Sequence, residues 1–136
     1  MKFEKSCGAA IFREESGCRA YLVIRSVNGH STLCKGHVEG NETERETAMR
    51  EIGEETGLCV EFVEGFREVI TYAPKPDCMK DVVFFLAKAV GGRLRCQPEE
   101  VADAGFYAYS EAADRLTHAG DRQILQKAEV FLNSGR

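Results

Sequence analysis

The chain has 136 residues, enough for one domain that buries roughly two-thirds of its unfolded surface. With 43% hydrophobic and 29% charged residues it has an ordinary globular composition, and no stretch approaches the ~20 consecutive apolar residues of a membrane span. A formal net charge of −4 argues against a surface built for polyanionic nucleic acid, and the N-terminal residues carry no signal-peptide pattern, so a cytoplasmic protein with a compact ligand is expected.

In chain order, residues 5–13 and 19–26 read as two strands joined by a hairpin turn at 14–17. Residues 27–30 form a loop, and 31–35 a short strand leading into a turn at 36–40 that holds Gly36 and Gly40. A helix is expected over about 44–56. Thr43 followed by Glu46 makes a capping box, Glu44 and Glu46 suit the positive end of the helix dipole, and Gly57 is placed to close the helix in a left-handed conformation. Ala48 and Ile52 form its core-facing stripe.

Two extended segments follow, about 59–72 and 81–89, linked by 73–79 with Pro74, Pro76 and Asp77 as turn residues. The apolar run Val82, Val83, Phe84, Phe85, Leu86 predicts a strand buried on both faces. A last strand at 105–109 precedes helical segments at 111–118 and 122–133, the second carrying the stripe Ile124, Leu125, Ala128, Phe131 and Leu132. The order strands, helix, strands, helix predicts an α/β fold, a mixed sheet with helices on both faces, and no linker or repeat divides residues 1–136.

Six cysteines, at 7, 18, 34, 59, 78 and 96, have wide irregular spacings without a C-x-x-C pair. They read as free thiols, buried or partly buried, and not as a zinc site.

Chemistry is concentrated in the first helix. Glu51, Glu54 and Glu55 stand at i, i+3 and i+4, which puts three carboxylates on an arc of roughly 100°. Unpaired, they weaken the helix by a few tenths of a kcal/mol per i,i+4 pair, on the order of the usual like-charge penalty. A hard divalent cation such as Mg2+ removes that cost, because it takes oxygen ligands and shares its coordination shell with substrate phosphates. Arg50, amid these acids, is expected to fix carboxylate orientation through charge-assisted hydrogen bonds.

Gly36, Glu42, Arg50, Glu51, Ile52, Glu54, Glu55, Gly57 and Leu58 stand in the register G-x5-E-x7-R-E-U-x-E-E-x-G-U, where U is a bulky aliphatic residue. This segment resembles the signature of the Nudix hydrolases and matches it at every specified position. The resemblance implies an α/β/α sandwich and attack of water on a phosphoanhydride in a nucleoside diphosphate linked to a further group. It implies Mg2+, with Mn2+ as a substitute, held by Glu51, Glu54, Glu55, Gly36 and Glu100, while Glu42 and Gly57 brace the motif. The general base is left open between a glutamate of the signature and Glu100, in the later run Pro98, Glu99, Glu100, Val101.

The approach Leu33, Cys34, Lys35, Gly36, His37, Val38, Glu39 is similar to the K-G-H-x-E version found in asymmetrical diadenosine tetraphosphate hydrolases, where proline usually stands at the position of Cys34. The segments around Tyr72 and Lys80 also resemble the region in which those enzymes stack adenine and hold phosphates. Lys35, His37, Tyr72 and Lys80 are therefore the expected substrate contacts, with Tyr72 as base platform. His30 reads as a surface residue and His118 as a helix-end residue.

The resemblance thus leads to hydrolysis of a dinucleoside polyphosphate such as diadenosine tetraphosphate. Three other readings stay open at this point: a pyrophosphohydrolase of damaged nucleoside triphosphates or nucleotide sugars, an enzyme acting on RNA 5′ ends, and a nucleotide-sensing module without turnover. The expected partner is a small nucleotide, with no membrane, and both monomer and homodimer are compatible with the sequence.

Overall fold

Strand alternation in two segments sets the architecture of the computed structural model, which describes residues 1–95 and 101–134. Strands β1 (Lys2–Glu15) and β7 (Cys78–Gly92) run parallel at the centre of an eight-stranded sheet, with Cys7 opposite Val83 and Ala10 opposite Leu86. Side chains alternate across a strand, so each contributes to two cores. On one face Cys7, Ala9, Ile11, Val83, Phe85 and Ala87 pack against Ala48 and Ile52 of α1 (Glu44–Thr56). On the other, Ala10, Phe12, Val82, Phe84 and Leu86 pack against Ala112 of α2 (Tyr109–Arg115) and Ile124, Leu125 and Ala128 of α3 (Ala119–Asn133). The expected mixed sheet with helices on both faces is present.

The remaining strands are antiparallel to their partners. β2 (Cys18–Ser26) forms a hairpin with β1 through a turn at Ser16 and Gly17, whose φ values are 52° and 79°. β3 (Ser31–Thr32) and β8 (Val101–Tyr107) pair with β2, and β4 (Cys34–His37) pairs with β1. β5 (Leu58–Phe62) and β6 (Glu68–Lys75) both pair with β7.

Several element boundaries differ from the sequence reading. The segment 59–72 is two strands, broken around Gly65 at φ 94°, because the 15 residues of β7 accommodate two partners along their length. The link at 73–79 shrinks to a tight turn at Pro76 and Asp77, with Pro74 inside β6; among the described residues β6 pairs only with β7, and it tolerates a missing donor on its other edge. The strand expected at 31–35 divides at Leu33, and its second half continues through Gly36 and His37, residues the pattern assigns to a turn. β8 starts at Val101 and ends at Tyr107, so Tyr109 opens α2, and α3 begins three residues earlier than its apolar stripe indicates, at Ala119.

Among the described residues, Cys7, Cys34 and Cys78 are buried free thiols, whereas Cys18 and Cys59 are exposed, which corrects the expectation of burial for those two. No helix of the described residues is long and apolar enough to cross a membrane.

Candidate active site

Local signals hold α1 in place. Thr43 Oγ1 accepts from the Glu46 N–H (3.1 Å), Glu46 Oε1 accepts from the Thr43 N–H (2.8 Å), and Gly57 closes the helix at φ 73° with its N–H donated to the Gly53 carbonyl at 3.0 Å. The first turn is tied to the sheet side by Glu44, which receives a two-pronged contact from Arg67 (2.8 Å each) and an ion pair from Lys5 at 2.6 Å. These cations, Arg67 foremost, hold the Glu44 carboxyl down at about 2.

Arg50 is the hub of the acid cluster. Its Nε and Nη2 donate to the two oxygens of Glu42 (2.7 and 3.1 Å), Nη1 donates to Glu51 (2.9 Å) and Glu54 (3.1 Å), and Nη2 also donates to the His37 carbonyl (2.9 Å). One planar guanidinium thereby joins the loop before α1, the helix and β4. Glu42 Oε1 also accepts from the Glu39 N–H (3.0 Å) and the Thr47 hydroxyl (2.8 Å). The Arg50 hydrogen bonds, followed by that of the Glu39 amide, hold Glu42 down at about 2.

β4 builds the opposite wall by alternation. Cys34 and position 36 face α1, while Lys35 points to the other side of the sheet. A Cβ at position 36 would fall onto the Glu51 carboxylate, so glycine leaves room for that side chain to lie against the strand. The Cys34 thiol donates to Glu55 Oε1 at 3.4 Å. Burial pushes the Glu55 carboxyl above its usual range, and the neighbouring Glu51 adds to the rise.

Glu55, raised by burial and further by Glu51, forms with Glu51 and the 48%-exposed Glu54 side chain an all-oxygen donor set whose like charge Arg50 offsets only in part. That set fits a hard divalent cation, which would relieve the repulsion. Among the described residues no three His, Cys, Asp or Glu side chains already converge on one point, since Arg50 draws Glu51 and Glu54 while Cys34 holds Glu55. Glu51, Glu54 and Glu55 are the side chains that would hold such a cation, in place of these partners.

Two cavities meet at this wall, with volumes of about 680 Å³ and about 530 Å³, both in the range of ligand pockets. The larger is the acid cleft, lined by Lys35, Gly36, His37, Glu51, Glu54 and Glu55. The smaller lies between β6 and the start of α3, lined by Tyr72, Gly120, Asp121 and Gln123. Lys35 and His118 belong to both.

Of the expected substrate contacts, Lys35 and His37 thus stand in the acid cleft and Tyr72, 42% exposed, in the adjoining one. Lys80 lies directly across the β6–β7 ladder from Tyr72, where burial and then the nearby Lys35 lower its pKa, yet it lines neither cavity. Arg50 and Glu42 brace the cleft without lining it, and Gly57 ends the helix. Glu100 lies outside the described residues, while Val101 lines the acid cleft.

His30 is exposed and His118 is the N-cap of α3, as the sequence reading has them, but their contact and the burial of Asp121 have no counterpart in that reading. The two histidines contact each other, Nδ1 to Nε2, at 3.1 Å, and both line the acid cleft. Asp121, in the first turn of α3, reads in sequence as an acid suited to a helix start; only its 3% exposure inside the folded molecule distinguishes it.

Known proteins share both the sequence pattern and the fold. The NUDIX domain model matches residues 2–128. The asymmetrical bis(5′-nucleosyl)-tetraphosphatase of Sus scrofa is 35% identical over 144 residues, covering 96% of this chain and 96% of the relative. The Mus musculus protein of the same name is 34% identical with the same coverage. A solved C. elegans Ap4A hydrolase binary complex superimposes with a TM-score of 0.88 at 26% identity, covering 96% of this chain and 98% of that one.

Proposed function

The chain belongs to the Nudix family, as a hydrolase of phosphoanhydride bonds, and on that premise we propose that its substrate is a dinucleoside polyphosphate, with diadenosine tetraphosphate cleaved by water to ATP and AMP. The observation that carries this reading is the joining of an acidic cavity and an aromatic one at Lys35. A long polyphosphate with a base at its end matches such a pair: the base stacks on Tyr72, the chain of phosphates passes Lys35, and the scissile bond reaches the acids. Near full-length similarity to two tetraphosphatases supports the same assignment.

Mg2+, with Mn2+ as a substitute, supplies a polarised water and charge neutralisation when held by Glu51, Glu54 and Glu55 with the Gly36 carbonyl. Arg50 keeps Glu51 and Glu54 aimed from behind and ties them to β4 through the His37 carbonyl. Lys35 and His37 contact phosphate oxygens, and Lys80 strengthens the positive field beside Lys35. The proton from the attacking water goes to Glu55 or to Glu100, and Glu100→Gln separates the two: unchanged turnover assigns it to the signature helix. The protein works in the cytoplasm, as monomer or homodimer, on a small nucleotide; a nucleic acid enters only as an RNA 5′ end.

The test is a substrate panel in Mg2+ with chromatographic identification of products, run in 18O water to locate the phosphorus attacked. ATP and AMP from diadenosine tetraphosphate, formed with the highest kcat/KM of the panel, is the expected result. Nucleoside triphosphates converted to monophosphate and pyrophosphate far faster would overturn it. Tight nucleotide binding without hydrolysis in either Mg2+ or Mn2+ would instead identify a sensing module.

A further inference from the structure

Asp121 is the one Asp, Glu, Lys or Arg among the described residues that is buried as a whole residue. Its Oδ2 accepts one long hydrogen bond, 3.4 Å from the Leu33 N–H. A carboxyl withdrawn from water normally gathers several donors, because desolvation otherwise goes uncompensated. Among the described residues nothing donates to its other oxygen, and the side chain lines the cavity that holds Tyr72.

Two other polar groups of that cavity are engaged. The Thr71 hydroxyl donates to Asp81 at 2.7 Å, and His118 Nε2 meets His30. Gly120 explains the placement of the acid: a Cβ there would stand 3.0 Å from Ile70 Cδ1, so glycine lets the first turn of α3 close onto β6. Asp121, the next residue, is thereby carried to the side of Tyr72. Their proximity shows in their electrostatics, since after burial the Asp121 charge is the main influence raising the Tyr72 hydroxyl, and Lys35 is the main one opposing the rise at Asp121.

Resting on the reading that Tyr72 is the base platform, we propose that Asp121 is the specificity-determining residue of this cavity: its free carboxyl oxygen accepts a hydrogen bond from the exocyclic amino group of the stacked base. Adenine satisfies that oxygen. Hypoxanthine, with a carbonyl in place of the amino group, sets oxygen against oxygen and leaves both unpaired. The strut between α3 and Leu33 is the competing role, and it is indifferent to the base.

Calorimetric titration of the whole protein with ADP and with IDP tests this without requiring turnover. Wild type is expected to bind ADP roughly 30-fold more tightly, the size of one buried polar group left unpaired. In the isosteric Asp121→Asn variant, whose amide can turn its NH2 to a carbonyl, the ratio should fall to within about threefold of unity. Equal binding of ADP and IDP by wild type overturns the proposal whatever any variant does. So does an Asp121→Asn protein that melts lower and weakens both ligands alike with the ratio kept, since that is the signature of a strut.

The outcome is separable from the substrate assignment. Failure to cleave dinucleoside polyphosphates, with an Asp121-dependent preference for ADP intact, removes the substrate reading and leaves base selection standing. A normal cleavage pattern with no base preference does the reverse.

Discussion

The acid cleft and the Tyr72 cavity share Lys35 but are built in opposite ways. The first draws its chemistry from one helix and the loop and strand just before it, within Cys34 to Glu55, so a single guanidinium can reach most of its parts. The second gathers β4, β6 and the start of α3, three segments separated by dozens of positions, and its acid is held by one long bond. A site made locally keeps its parts in register through a few short-range contacts. A site made at a junction of distant elements is where substrate preference can change without disturbing the reaction.

The sharpest test of that division is Glu55→Gln, which removes one carboxylate of the proposed metal set: turnover should drop at least about a hundredfold. The circular dichroism spectrum should be unchanged, because the side chain lines a cleft. Near-normal kcat would place the chemistry outside α1. Arg50→Ala comes next, with an expected loss of roughly tenfold or more in kcat and about 2 kcal/mol in stability, since Glu42 and Glu51 lose charge-assisted partners. If denaturant melts showed no change, Arg50 would not be the hub it resembles.

In the other cavity, Tyr72→Ala should raise KM by roughly tenfold through lost stacking, with kcat less affected. Tyr72→Phe should behave almost as wild type. A Tyr72→Ala defect confined to kcat would merge the two cavities into one functional unit.

The smallest effect concerns acid. Glu42 and Glu44 sit at about 2 in the folded protein against an ordinary 4.5. A depressed folded value means their contribution to stability is complete above about 4.5 and is lost as pH falls through about 2. Thermal melts across that window should therefore decline, and Glu44→Gln should flatten the decline. An identical slope in the variant would show that Glu44 is not linked to folding.

Much of the catalytic half is legible in the amino-acid sequence. The capping box at Thr43 and Glu46, the left-handed Gly57, the buried Ala48 and Ile52 and the acid register are all local patterns, and the helix occupies the expected span of Glu44–Thr56. The strand pattern is legible where burial is two-sided, as in Val82 to Leu86, and fails where partners decide. Nothing local signals that β7 takes two partners, or that β4 continues through Gly36 because β1 offers it hydrogen bonds. The histidine pair of His30 and His118 spans 88 positions and has no sequence signature.

By itself, then, the sequence determined the chemistry: carboxylates at helical spacing, a cation among them and a glycine in front follow from 3.6 residues per turn and from the space a missing Cβ leaves. Only tertiary structure decided what surrounds that chemistry. It set Lys35 between two cavities, buried Asp121 beside Tyr72 and left Lys80 across the ladder from Tyr72 but outside both cavity linings, because burial and convergence depend on which distant strands pair and how closely a helix end can approach them.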